Sequence, residues 1–155
     1  MLRKVITALC MASVVAMPTT VFSKDPNEAA IKARRGYMQL VLFNAGPLFG
    51  MAKVKVEYNA ELANQLAKNL GALTTMDSKR MWPKGSDNTA YKGKTRATPG
   101  AWTDQAAWDA SKAYDEAVAG LVANAGNGLD ALRAGVGALG KSCKGCHDAG
   151  RAKDF

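Results

Sequence analysis

A chain of 155 residues with 48% apolar and 22% charged residues has the size and balance of one soluble globular domain, which excludes a disordered chain, a collagen-like repeat and a multidomain enzyme. Aromatics are sparse at 7%, glycine and alanine are plentiful and β-branched residues form no alternating runs, so helices are expected rather than sheets. The 21 Lys and Arg against 13 Asp and Glu leave a net charge of +8, which fits a nucleic acid, a membrane surface or an acidic protein until the charges are placed.

The chain opens on the basic Met1-Leu2-Arg3-Lys4, runs through an apolar stretch from Val5 to Met17 that is short for a bilayer span, and reaches small or neutral residues at Pro18 to Ser23. This is the pattern of a secretory signal over residues 1–23, cleaved near Ser23/Lys24, with the mature domain at 24–155. A membrane anchor is the competing reading. A lipoprotein site at Cys10 is disfavoured because Leu9 stands where a small residue is wanted. Losing Arg3, Lys4 and Cys10 leaves 19 basic against 13 acidic residues, a net charge of +6, and two cysteines, Cys143 and Cys146, in an exported protein.

Four amphipathic stretches follow. Asp25-Pro26-Asn27-Glu28 opens the first helix with a cap, a proline at the first helical position and a capping glutamate. That helix runs towards Gly50 with Ile31, Met38, Val41, Leu42, Ala45, Leu48 and Phe49 inward, and Gly46-Pro47 is expected to kink or weaken its last turns. Asn59 caps a second helix, with Leu62, Leu66, Leu70 and Leu73 on one face, ending near Thr75. From Met76 to Gly100, Pro83, Gly85, Gly93, Pro99 and Gly100 break any long element, and a loop of this length is functional or mobile. Thr98-Pro99 begins a third helix with Trp102, Trp108, Tyr114, Val118, Leu121 and Ala125 inward. After Gly126-Asn127-Gly128, a fourth helix carries Leu129, Leu132, Val136, Leu139, Cys143 and Cys146 at steps of three and four, so the cysteines continue the apolar seam facing the bundle. Gly135, Gly137 and Gly140 each cost that helix about 1 kcal/mol relative to Ala. Close approach of a flat cofactor and tight helix packing account for them equally.

Cys143-Lys144-Gly145-Cys146-His147 has the C-x-x-C-H form of a c-type haem attachment site. Two thiols about one helical turn apart reach the two porphyrin vinyl groups, and the adjacent imidazole is brought under the iron. His147 is the only histidine in the chain. A thioredoxin-like dithiol wants a βαβ setting, a zinc site wants four ligands, and a disulfide across two residues closes too short a loop to stabilise much. Haem attachment, with insertion into the bundle, is therefore the expected chemistry.

With four helices and this motif near its C-terminus, the mature chain resembles the class II c-type cytochromes, above all the cytochrome c′ family, over nearly all of residues 26–155. The matches are Ala33-Arg34-Arg35-Gly36-Tyr37-Met38, Ala45-Gly46-Pro47-Leu48, Pro99 with Trp102, and Cys143-Lys144-Gly145-Cys146-His147-Asp148 followed by Arg151. Class I cytochromes place the motif near the N-terminus with a methionine ligand well downstream, whereas only eight residues follow His147 and none is Met. The resemblance implies an all-α antiparallel four-helix bundle, commonly a homodimer, in the bacterial periplasm. It also implies one haem c covalently held by Cys143 and Cys146, with His147 as proximal ligand and a pentacoordinate iron facing an apolar pocket on the first helix. In the family the distal residue matches Met38, a residue near the haem propionates matches Arg34, and a basic residue beside the proximal histidine matches Arg151. The spacing agrees, since Arg34 and Met38 share one helix face, as do His147 and Arg151. For either arginine a solvated surface position is the alternative.

Met38 either packs over the iron or binds it as a soft sixth ligand, with Met51, Met76 and Met81 as weaker candidates. An open position shielded by Met38 makes the chain a binder of small gases such as NO and CO that also moves single electrons, whereas Met38 ligation makes it a plain electron carrier. An enzyme is not supported, since no second histidine or carboxylate cluster is in view to activate peroxide or oxygen. Lys79, Arg80, Lys84, Lys92, Lys94 and Arg96 either steer an acidic redox partner to the haem edge or simply solvate the loop. Trp82 either closes over the porphyrin edge or anchors the loop. Nucleic acid is a poor fit for an exported chain without a base-stacking motif, and the mature form has no expected membrane span. The first and second helices are the expected subunit contact, on the resemblance alone.

Overall fold

The computed structural model describes residues 25–155. The expected export signal at 1–23 and Cys10 lie outside the described residues. Asp25 sits in extended backbone and its carboxylate accepts from the Asn27 N–H at 2.8 Å, with Pro26 at the first helical position, so helix α1 spans Pro26–Ala52. Gly46-Pro47, expected to kink or weaken the last turns, lies inside this helix, which runs past Gly50 to Ala52. Pro47 is exposed, as is Phe43, whose carbonyl loses its helical donor to the proline, so water is at hand to satisfy that carbonyl. The helix stops at Lys53, where the N–H groups of Val54 and Lys55 turn back to the Met51 and Gly50 carbonyls at 3.0 and 2.9 Å. Val54 adopts φ 55°, a left-handed conformation usually left to glycine.

Asn59 caps helix α2, Ala60–Thr74, by accepting from the Leu62 N–H at 2.8 Å. Its buried stripe is Ala63, Leu66, Ala67 and Leu70, which leaves Leu62 46% exposed instead of facing the core as the leucine spacing suggested. A short 3-10 turn at Lys79–Met81 is the one helical piece between α2 and residue 100 among the described residues. The third expected helix divides. Helix α3, Gly100–Thr103, ends where Asp104 goes extended (φ −89°, ψ 122°) and its carboxylate caps helix α4, Gln105–Asn124, through the Ala106 N–H at 2.8 Å. The bend turns Trp108 outwards to 59% exposure, so it is not the inward residue expected from spacing.

Helix α5, Leu129–Gly150, follows a turn pinned by Tyr58, whose hydroxyl donates to the Ala125 carbonyl and accepts from the Gly128 N–H, both at 3.0 Å. The four long helices α1, α2, α4 and α5 form an antiparallel bundle around Leu48, Met51, Leu70, Val118, Leu121, Leu132 and Leu139. Met38 and Leu42, expected inward, are 42% and 62% exposed and stand outside this leucine core. No helix among the described residues is long and apolar enough to cross a membrane.

Two of the three α5 glycines are explained by helix packing. A Cβ on Gly135 would come within 2.6 Å of Leu121 Cδ2 on α4, and one on Gly140 within 3.3 Å of Phe49 on α1. Gly137 faces open space and carries no packing reason.

Candidate haem attachment site

Cys143 and Cys146 lie one turn apart in the last third of α5, both half-buried and neither in a disulfide. Cys143 packs against the leucine core, and burial pushes both thiols above their ordinary pKa, with the Cys146 charge adding to the effect on Cys143. His147 follows in the last turn, exposed. Its imidazole basicity is lowered by burial first, then by the positive charges of Arg151 and Arg96. Arg151 Nη1 lies 3.5 Å from His147 Nδ1. Among the described residues there is no group of three or more His, Cys, Asp or Glu that could hold a metal by itself. A single imidazole beside two unpaired thiols at this spacing fits a group that brings its own equatorial donors and is tethered by sulfur, which is the donor chemistry of haem c.

What faces the motif follows from the α1–α5 packing. Arg133 Nε donates to the Ala52 carbonyl at 3.1 Å, and Phe49 covers Gly140 one heptad further along α5. These contacts fix the two helices as antiparallel neighbours and mark the α5 face that carries Arg133 and Gly140. His147 lies seven residues beyond Gly140 on that face. Met38 lies fourteen residues before Ala52 on the facing side of α1. Extended along the antiparallel pair, the Arg133–Ala52 contact sets residue 38 across from His147 and the Phe49–Gly140 contact sets residue 42 there, so the α1 turn at 38–42 lies across from the motif. Next to this end, Tyr114 on α4 has a buried hydroxyl that makes no hydrogen bond, and burial raises its pKa strongly, the nearby Tyr37 and Cys143 adding to it.

The segment between α2 and α3 closes this end of the bundle. Arg34, one turn before Met38, is 2% exposed. Its Nη1 donates to Ser86 Oγ at 2.6 Å and to the Met81 carbonyl at 3.4 Å. Its Nη2 donates to Thr95 Oγ1 at 2.8 Å and to the Ser86 carbonyl. The guanidinium carbon sits 5.1 and 5.7 Å from the Trp82 and Trp102 rings, which meet edge to face at 5.9 Å. Trp102 Nε1 also donates to the Trp82 backbone carbonyl at 2.9 Å, which ties the loop to α3. Burial lowers the Arg34 pKa, and the charge of Asp87 partly restores it.

Of the six basic residues in this loop, Lys94 pairs with Glu28, and Arg96 donates to the carbonyls of Ala152 and Lys153. Lys79, Arg80, Lys84 and Lys92 remain exposed, as do Arg151 and Lys153 at the same end. An antiparallel bridge between Ala97 and Arg151, with the Thr98 N–H on the Gly150 carbonyl at 2.9 Å, ties the loop to the end of α5. Ser86, Thr95 and Trp102 as partners of Arg34 had no local sequence signal, because Ser86 and Thr95 lie 52 and 61 residues from it.

A family model described as cytochrome c′ matches residues 29–151. The cytochrome c′ of Cereibacter sphaeroides is 38% identical over 153 residues, covering 98% of this chain and 99% of its own. A solved cytochrome c′ from Rhodobacter Spheriodes superposes with a TM-score of 0.78 at 38% identity, over 82% of this chain and 98% of that one. The nitric oxide complex of an L16A mutant of the cytochrome c′ of Alcaligenes xylosoxidans gives 0.71 at 29% identity, over 86% and 99%. The arrangement of thiols, imidazole and four helices, with these likenesses over most of the chain, places the protein in the cytochrome c′ family of c-type haem proteins.

Proposed function

We propose that this chain is an exported periplasmic haem protein that binds small neutral gases, NO and CO, at an open iron position shielded by Met38, and that it also transfers single electrons. Cys143 and Cys146 are the attachment thiols, His147 is the proximal ligand, and Arg34, Met38 and Arg151 surround the cofactor. The haem iron supplies the redox electron and one coordination position; the chain decides what reaches it. The observation that supports the reading is the α1–α5 packing, whose two contacts put the α1 turn at 38–42, with Met38 on it, across from His147.

An apolar side chain there admits a small uncharged ligand and offers no hydrogen bond to a charged one. No histidine other than His147 exists to exchange protons with a bound ligand, so binding rather than turnover is favoured. Arg151 holds a cation against Nδ1 of His147, which draws electron density from the ring and weakens it as a donor. The nitric oxide complex of the Alcaligenes relative supports NO as a ligand class. The exposed Lys79, Arg80, Lys84 and Lys92 beside this end favour an acidic redox partner, with salt-sensitive kinetics. A homodimer through α1 and α2 is supported by the apolar Leu40, Phe43 and Leu62 left exposed on them, at 52%, 74% and 46%.

The second reading, a low-spin electron carrier with Met38 on the iron, draws on the same register, because a thioether at that level is a competent soft ligand. Rapid mixing of the reduced holoprotein with CO separates the two. An open site gives an association rate that rises linearly with CO and is several-fold faster in Met38→Ala. A rate that saturates with CO in the native protein, limited by release of the methionine, would overturn the open-site reading.

A further inference from the structure

We infer that Arg34 is a positioning residue: its guanidinium clasps the loop between Met81 and Ala97 onto α1 and so fixes the helical turn that carries Met38. The Met38 half of this inference rests on the distal role proposed above. Four hydrogen bonds leave the two terminal nitrogens, two from each, and all end on neutral oxygens of one short segment, Met81, Ser86 and Thr95. The acceptors are themselves held. Ser86 Oγ donates onwards to the Pro83 carbonyl at 2.7 Å, and Thr95 Oγ1 accepts from the Ala97 N–H at 3.2 Å.

Ser86 and Thr95 are 0% and 3% exposed, deeper than any other polar residue near the motif except Arg34 itself. The fork-shaped donor makes their burial more tolerable, since it adds a charge-assisted bond to the single one each hydroxyl makes within the loop. The two indoles complete the enclosure, one from the loop and one from α3. Because α1 is one rigid helix, whatever holds Arg34 also sets the distance of Met38, four residues on, from α5.

The test uses the haem-loaded protein and two readouts: the rate of trypsin cleavage between Lys79 and Arg96, and the CO association rate of the reduced form. Arg34→Gln removes the charged fork, whereas Ser86→Ala with Thr95→Val removes the two hydroxyl acceptors and leaves the arginine charge and every tryptic site in the loop in place. The double variant also keeps the test alive where Arg34→Gln fails to fold. Each is expected to raise loop cleavage at least tenfold and to shift the CO rate at least twofold in the same direction. Combining them is expected to add little beyond the larger effect, as for partners in one interaction. Arg34→Lys should behave like Arg34→Gln, because a single ammonium cannot reach the acceptors as a fork.

Native-like cleavage in the Ser86/Thr95 variant, effects that multiply when combined, or native-like protection in Arg34→Lys would each overturn the clasp. Met38→Ala tells this failure from that of the underlying reading. A changed CO rate in Met38→Ala with unchanged rates in the clasp variants removes the positioning role and keeps Met38 distal. An unchanged rate in Met38→Ala removes the distal role, and cleavage alone then decides the clasp.

Discussion

Two glycines on α5, two residues apart, should respond to alanine with opposite signs. At Gly135 the new methyl would lie 2.6 Å from Leu121 Cδ2 and 3.0 Å from Cγ, with the Leu121 Cα only 3.8 Å away, so the leucine cannot simply swing aside. Leu121 is 1% exposed in the centre of the core. Overpacking of this kind costs roughly 1–3 kcal/mol, and the gain in helix propensity returns about 1 kcal/mol. The net expectation for Gly135→Ala is a loss of about 1 kcal/mol. At Gly137 nothing lies within 4 Å and the position is exposed, so the propensity gain stands alone and Gly137→Ala should stabilise by about 1 kcal/mol. Equilibrium guanidinium unfolding of the holoprotein, followed by far-ultraviolet circular dichroism, should separate the two variants by about 2 kcal/mol at equal m-values, or roughly 6–10 °C in Tm. Stabilisation by both substitutions would refute the argument that the α4–α5 contact at Leu121 is close-packed and cannot yield.

Val54→Gly should stabilise by about 0.5–1 kcal/mol, since relief of the left-handed strain at φ 55° outweighs the greater freedom of glycine in the unfolded chain; the same unfolding assay checks it. Asn59→Ala should cost about 1 kcal/mol through loss of the α2 cap, visible as a lower unfolding midpoint. The Tyr91 hydroxyl on Asp25 Oδ2 at 2.7 Å holds that carboxyl below its usual pKa, and Asp25 in turn raises the phenol. The Asp25 contribution is therefore fully present above its unfolded pKa of about 3.8 and is lost as pH falls through the lower folded value; the Tyr91 contribution is present below about 10 and is lost as pH rises through the higher folded value. Tyr91→Phe should flatten both flanks of a stability–pH profile and leave the slope from pH 5 to 9 unchanged. Arg151→Gln, which removes a cation beside the imidazole, should lower the haem reduction potential by about 20–50 mV in a spectroelectrochemical titration at low salt.

The caps, the helix periods and the C-x-x-C-H motif are local features, and each is legible because it lies within one or two turns of sequence. Asp25, Asn59 and the turn at Gly126 to Gly128 delimit helices where the spacing expects them. Apolar spacing was a poorer guide where the core is lined by small residues. Ala63 and Ala67 rotate the buried face of α2 away from Leu62, and the cap at Asp104 re-aims α4 so that Trp108 leaves the interior. The enclosure of Arg34 was out of reach for a different reason. Its acceptors are ordinary serine, threonine and backbone oxygens in a loop whose composition signals only irregularity, and nothing within that loop marks which oxygens will be buried. Which turn of α1 stands across from the motif likewise needed the Arg133–Ala52 and Phe49–Gly140 contacts, because helix spacing within either segment does not contain the register between them.

The most direct measurement is the visible absorption of the purified mature protein, oxidised and dithionite-reduced, before and after CO. A high-spin Soret band with a broad, unsplit reduced α/β region that shifts on CO addition is expected of an open iron walled by Met38. A sharp, split low-spin spectrum unmoved by CO would put Met38 on the iron and contradict the gas-binding role.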